Sequence, residues 1–216
     1  MRTTILTAAL ALTTGLAAAD PQTLTVDVWA DNWFAMHVNG TLVVEDSVPI
    51  TTERSFNAET VTFTADLPMT VAFEVKDFKE NDTGLEYIGT DRQQMGDGGM
   101  IAQFLDAATG ETVAVTDAAM RCLVVHRAPL DRACADARDP VAGSGACGFE
   151  TTEVPADWTA ADFDDTAWPA ATEHSADAVD PKDGYDAITW DPAAQLVWSE
   201  DLVQDNTLLC RMKVEG

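Results

Sequence analysis

From residue 22 onward apolar and polar positions alternate. Leu24, Val26 and Val28 fall on one side of residues 22–30, and Phe34, Met36 and Val38 alternate with Trp33, Ala35 and His37. A period of two sends successive side chains to opposite faces, so each stretch predicts a half-buried β-strand. Asp31-Asn32 between them predicts a turn or bulge. Asn39-Gly40 supplies the positive φ that both central positions of a type I′ turn require, so the strands on either side of it are expected to pair as a hairpin. The same alternation predicts strands over 59–64, 70–78, 100–105, 111–116 and 121–126, with Thr109-Gly110 as a turn, and returning strands over 196–199 and 207–214. In the last of these Leu208, Cys210, Met212 and Val214 share one face, which puts Cys210 on the core side.

Residues 128–192 break the pattern. They are rich in Ala, Asp, Gly and Pro, yet they carry Cys134, Cys147, Phe149, Trp158, Phe163, Trp168, Tyr185 and Trp190. That much aromatic area predicts an ordered excursion held against the sheets. Helix is expected in single turns at most, near 131–138 and 192–195, where Pro192 suits a first helical position. The fold class that follows is all-β, an antiparallel β-sandwich with a long ordered loop region.

The first nineteen residues read differently. Arg2 is followed by a mostly apolar run from Ile5 to Leu16 and by Ala17-Ala18-Ala19, the pattern of a cleaved signal peptide. This divides the chain into a signal segment over 1–19 and one β domain over 20–216, with a secreted or periplasmic destination and no transmembrane segment. Four cysteines, Cys122, Cys134, Cys147 and Cys210, all lie in the second half. An even number in an exported chain predicts two disulfides. Of the three possible pairings, Cys134–Cys147 would close the Gly-rich loop and Cys122–Cys210 would join two strands. No spacing is CxxC, which argues against zinc. The chain carries 12 basic and 37 acidic side chains, for a net charge of −25. Such a surface repels nucleic acid and attracts cations.

Four stretches bear a resemblance. Asp31 to Val44 is similar to the strand-hairpin of galactose-binding-like jelly rolls, with an acidic turn, an aromatic-aliphatic strand and Val38-Asn39-Gly40. Trp158 to Trp168 resembles their Trp…Phe-Asp-Asp-Ser-x-Trp loop, with Thr166 at the serine position. Ala194 to Trp198 and Thr207 to Arg211 resemble their closing strands. The family includes sugar-binding modules and accessory domains of secreted enzymes. The resemblance therefore implies a non-catalytic recognition domain for a glycan or other small polar ligand, or for a secreted protein partner.

On that reading Asp31, Trp33, His37 and Trp158 are the candidate ligand-binding residues, with Trp33 as an aromatic platform for a sugar ring. Trp33 and His37 lie about 13 Å apart along one strand face and cannot share a metal ion. Met36 and His37 point to opposite faces, which makes a copper chelate poor. A cation-binding protein is the alternative function, calcium before copper. Calcium takes six to eight hard oxygens from flexible loops, and the metal candidates are Asp162, Asp164, Asp165, Asp180 and Asp183. Asp177, Asp180, Asp183 and Asp186 recur every third residue, while Glu86, Asp91 and Asp97 decorate another loop. Gly96 to Gly99 reads as a turn into the next strand. No catalytic constellation stands out, so an enzyme, or an accessory subunit of one, comes third. One structural calcium is the cofactor the composition allows.

Overall fold

The computed structural model describes residues 21–216; the signal segment expected over 1–19 lies outside them. The strands run in order β1 (Gln22–Asp31), β2 (Trp33–Val38), β3 (Thr41–Glu45), β4 (Ala58–Ala65), β5 (Met69–Lys76), β6 (Leu85–Glu86) and β7 (Gln94–Met95). They continue with β8 (Gly99–Asp106), β9 (Thr112–Val115), β10 (Arg121–Arg127), β11 (Glu150–Thr151), β12 (Thr172–His174), β13 (Leu196–Trp198) and β14 (Asp205–Val214). One short helix, α1, spans Ala176–Val179.

Two large antiparallel sheets pack as a sandwich, an arrangement compatible with a jelly roll. The first runs β12-β13-β8-β1-β4, with β9 also pairing with β8; the second runs β11-β10-β14-β5-β2-β3. A separate ribbon, β6-β7, stands beside them. The chain changes sheet between β1 and β2, at Asp31-Asn32. Asn32 is fully buried there, with its amide donating to the Lys76 carbonyl at 2.6 Å and its side-chain oxygen accepting from the Phe78 amide at 2.5 Å.

Period-two alternation determines what lies between the sheets. Leu24, Val26, Val28 and Ala30 of β1 face Phe34, Met36 and Val38 of β2, Phe73 and Val75 of β5, and Leu208 of β14. Each large apolar side chain buried there contributes about 1.5–3 kcal/mol. Cys122 and Cys210 lie opposite each other in the β10–β14 ladder, on this core side, and are bonded. The second disulfide, Cys134–Cys147, packs against Leu85 under the β6-β7 ribbon.

The excursion over 128–192 is ordered, and it covers the outer faces of both sheets. On the first sheet, Val179, Tyr185 and Trp190 pack over Trp29 and Ile101. On the second, Trp158, Phe163 and Trp168 pack over Leu123, Val125 and Leu209. Arg211, 2% exposed, ties that loop down: its guanidinium pairs with Asp165 at 2.8 Å and donates to the Trp158, Ala160 and Phe163 carbonyls.

The alternation did not foretell the shortest elements. Strands β6, β7, β11 and β12 have two or three residues each, too few for a period to register. Helix α1 was likewise unexpected; Ser175 caps it by accepting from the Ala178 amide. The turn expected near 131–138 is a 3₁₀ turn over Arg132–Asp136, capped by Asp131. The one expected over 192–195 takes no helical form.

Candidate metal centre

Where the chain crosses between sheets, three carboxylates meet. Asp31 ends β1, Asp77 follows β5, and Asp97 precedes β8. One carboxylate oxygen from each lies within 4.8 Å of the others. The strand ladders bring them together, since Asp31 pairs with Gly99 across β1–β8 and the Asn32 amide bonds to Lys76 at the end of β5. The Asp77 amide is held by the Asn206 carbonyl at 2.9 Å. The approach is close enough that a Cβ on Gly96 would fall 2.0 Å from Asp77 Oδ2, so a side chain in the turn beside Asp97 would displace that carboxylate.

Asp31 and Asp77 are buried and poorly partnered, and Asp97 is half-buried. Asp31 is 1% exposed, and neither of its oxygens has a hydrogen-bond partner. Asp77 is 2% exposed and its Oδ1 is equally bare. Its Oδ2 accepts from Asn206 Nδ2 at 3.4 Å, and Asn206 Oδ1 in turn accepts from His126 Nδ1 at 2.9 Å. Glu86, on β6, is a further buried acid close by, accepting from Gln94 Nε2 at 2.9 Å.

The electrostatics follow. Burial, and after it the charges of Asp97 and Glu86, push Asp31 well above the usual carboxylate range. Burial, then Asp31, Glu86 and Asp97, do the same to Asp77. Burial lifts Asp97 as well, with Lys182 opposing it and Asp180 adding to it. Glu86 is pushed up to about 7, chiefly by burial. A buried like-charge cluster either takes up protons or binds a cation.

The cluster opens on one side. Glu86 and Asp97 line a cleft of about 420 Å³ together with Glu53, Arg54, Phe56, Tyr87, Lys182 and Asp183. The donors are hard oxygens only. Two oxygens on opposite sides of a calcium ion lie about 5 Å apart, at 2.3–2.6 Å each, a separation these carboxylates already approach.

The residues singled out from sequence divide between two places. Asp31 is in the cluster. Asp183 lines the cleft, and Asp180 stands at its edge, bonded to Lys182 Nζ at 2.5 Å. Trp33 does not present an open ring: it is 9% exposed, with the Lys76 ammonium 4.4 Å from its ring centre. His37 is capped edge-on by Trp158 at 5.9 Å, so these two rings serve to dock the excursion on the second sheet. Asp165 is committed to Arg211, and Asp164 folds back on Thr166. Among the described residues the group close enough to share an ion is Asp31, Asp77 and Asp97, and the metal candidates Asp162, Asp164, Asp165, Asp180 and Asp183 are not part of it. Asp77 is not among the candidates the sequence offers. The signals were an acid ending an apolar strand, and the glycines flanking Asp97.

No family model, curated protein or solved structure matches the chain. Among the described residues, no helix is long and apolar enough to cross a membrane. The two disulfides are compatible with an extracytoplasmic protein.

Proposed function

We propose that this chain is an exported, non-catalytic β-sandwich protein that binds one divalent cation, calcium, through Asp31, Asp77 and Asp97, with Glu86 beside them. A single observation carries the reading: both oxygens of Asp31 are buried without a partner, next to two further carboxylates. Leaving such groups bare costs several kcal/mol, and a cation removes that cost. Oxygen-only donors favour calcium over copper or zinc. Titration calorimetry in calcium should give one site, and Tm should rise by several degrees between chelator and millimolar calcium. Asp97→Asn should lose both responses. A parent protein whose Tm is the same in chelator and in calcium would remove the proposal.

The jelly-roll resemblance favours a second layer to this function, recognition of a glycan. The supporting observation is that Glu86 and Asp97 face a cleft that also holds Phe56 and Tyr87. Hydroxyls of a neutral sugar would complete the ion's shell there, and a glycan array probed with and without calcium tests it. Trp33 is not the platform in this reading.

A further inference from the structure

Asn206, on β14, is fully buried and holds Asp77 twice. Its carbonyl accepts from the Asp77 amide at 2.9 Å, and its side-chain NH2 donates to Asp77 Oδ2 at 3.4 Å. Asp77 Oδ1 stays bare. Behind Asn206 stands His126 of β10, 6% exposed, with Nδ1 2.9 Å from Asn206 Oδ1. Gly84 closes over the amide: a Cβ there would fall 2.9 Å from Asn206 Oδ1 and 2.2 Å from the Ala128 carbonyl oxygen.

A primary amide has a donor end and an acceptor end, and its partners decide which end points where. An ion held by Asp77 needs that side chain as a carboxylate. With the amide turned round, Asn206 Oδ1 would stand against Asp77 Oδ2, two acceptors facing each other. The NH2 therefore belongs toward Asp77. That leaves Oδ1 toward the ring and requires a hydrogen on His126 Nδ1.

The surroundings favour that hydrogen. Burial, and after it the Lys79 ammonium, lower the pKa of His126, so near neutral pH the ring is uncharged and carries one N–H. Two oxygens compete for it: Asn206 Oδ1, and Asp82 Oδ1 at 3.3 Å from Nε2. Asp82 Oδ1 is already engaged by Lys79 Nζ at 2.5 Å, and Nε2 makes no hydrogen bond. Phe149 stacks on the ring, with centres 5.9 Å apart, and covers its face.

We infer that His126 is a positioning residue for the cation site. Its Nδ1–H fixes the Asn206 amide with the NH2 on Asp77 Oδ2, and Asp77 then presents its bare Oδ1 to the ion. This deepens, and rests on, the cation-binding reading above. Groups that orient a ligating side chain without touching the ion contribute about ten- to a hundredfold in metal affinity.

The test uses two variants. His126→Phe keeps a ring against Phe149 and removes the donor. His126→Asn gives up the ring and places an NH2 close to where Nδ1 stood. In calorimetry with calcium chloride near neutral pH, His126→Asn should bind close to the parent, and His126→Phe about ten- to a hundredfold more weakly. Loss of packing alone predicts the reverse order, since only His126→Asn opens a gap. His126→Phe binding as tightly as the parent, or no more weakly than His126→Asn, overturns the inference. A nitrogen-15 spectrum of the calcium-loaded parent, with its histidine signals assigned, should show hydrogen on His126 Nδ1. A bare Nδ1 overturns the inference even if neither variant folds. A parent that binds no calcium overturns the cation reading and this inference with it, whereas a parent that binds while His126→Phe is unimpaired loses only the inference.

Discussion

Asp31 illustrates the opposed demands placed on one side chain. In the folded chain without an ion it holds its proton well above the usual carboxylate range, while in the unfolded chain it releases that proton near 3.8. Between those values the folded state binds the extra proton, so stability falls as pH rises through the window. Glu86 acts in the same direction, between its usual 4.5 and about 7. Asp31→Asn removes the contribution of Asp31, since the amide resembles the protonated acid and never ionises. In chelator this variant should therefore melt above the parent near pH 8, by about 2–4 °C for each kcal/mol recovered. The gain should shrink as pH is lowered toward about 5. The calcium-induced rise in Tm should be lost at both pH values. A residue chosen for packing alone would lose stability on substitution; one kept for a ligand gains stability and loses the ligand. Thermal melts of the two proteins across pH, with and without calcium, separate these outcomes.

At the scale of elements, the alternation of side chains made the sheets legible and left the carboxylate cluster hidden. Strands β1, β2, β5, β8, β10 and β14 are long enough for a period of two to show, and their inward residues form the core. The cluster is different. Asp31, Asp77 and Asp97 stand at the ends of three strands far apart in sequence, and only the ladder registers bring them together. No local spacing encodes that meeting: acid-rich runs such as 162–165 and 177–186 stand out in the sequence, whereas the three acids that meet are isolated from one another along the chain. The two disulfides act on elements too, and chain entropy ranks them. Cys122–Cys210 closes a separation of 88 residues and Cys134–Cys147 one of 13. Loop-closure entropy assigns roughly 4.5 kcal/mol to the first and roughly 3 to the second. Denaturant melts of Cys122→Ala/Cys210→Ala and Cys134→Ala/Cys147→Ala should show the larger loss for the first pair. The first also leaves a gap in the core between the sheets, which adds to its cost.

For the whole molecule, a net charge of −25 makes self-repulsion a general cost of folding, which any salt relieves. Calcium could then raise stability by diffuse screening without ever entering a site, and the two effects need to be told apart. Screening depends on ionic strength, with a Debye length of about 10 Å at 0.1 M, and it acts on exposed acids wherever they lie. Site binding depends on the identity of the ion and saturates. Asp31 and Asp77 are withdrawn from solvent, so mobile sodium ions screen them poorly, while an ion seated among them acts at contact distance. In sodium chloride the Tm should therefore rise gradually and without saturation up to about 0.5 M, in the parent and in Asp31→Asn alike. In calcium chloride at matched ionic strength, the parent should show an additional rise that levels off at millimolar concentration, and Asp31→Asn should follow the sodium curve. If the parent's calcium and sodium curves coincide, the acidic surface accounts for the whole response, and the carboxylates between the sheets are then held by protons alone.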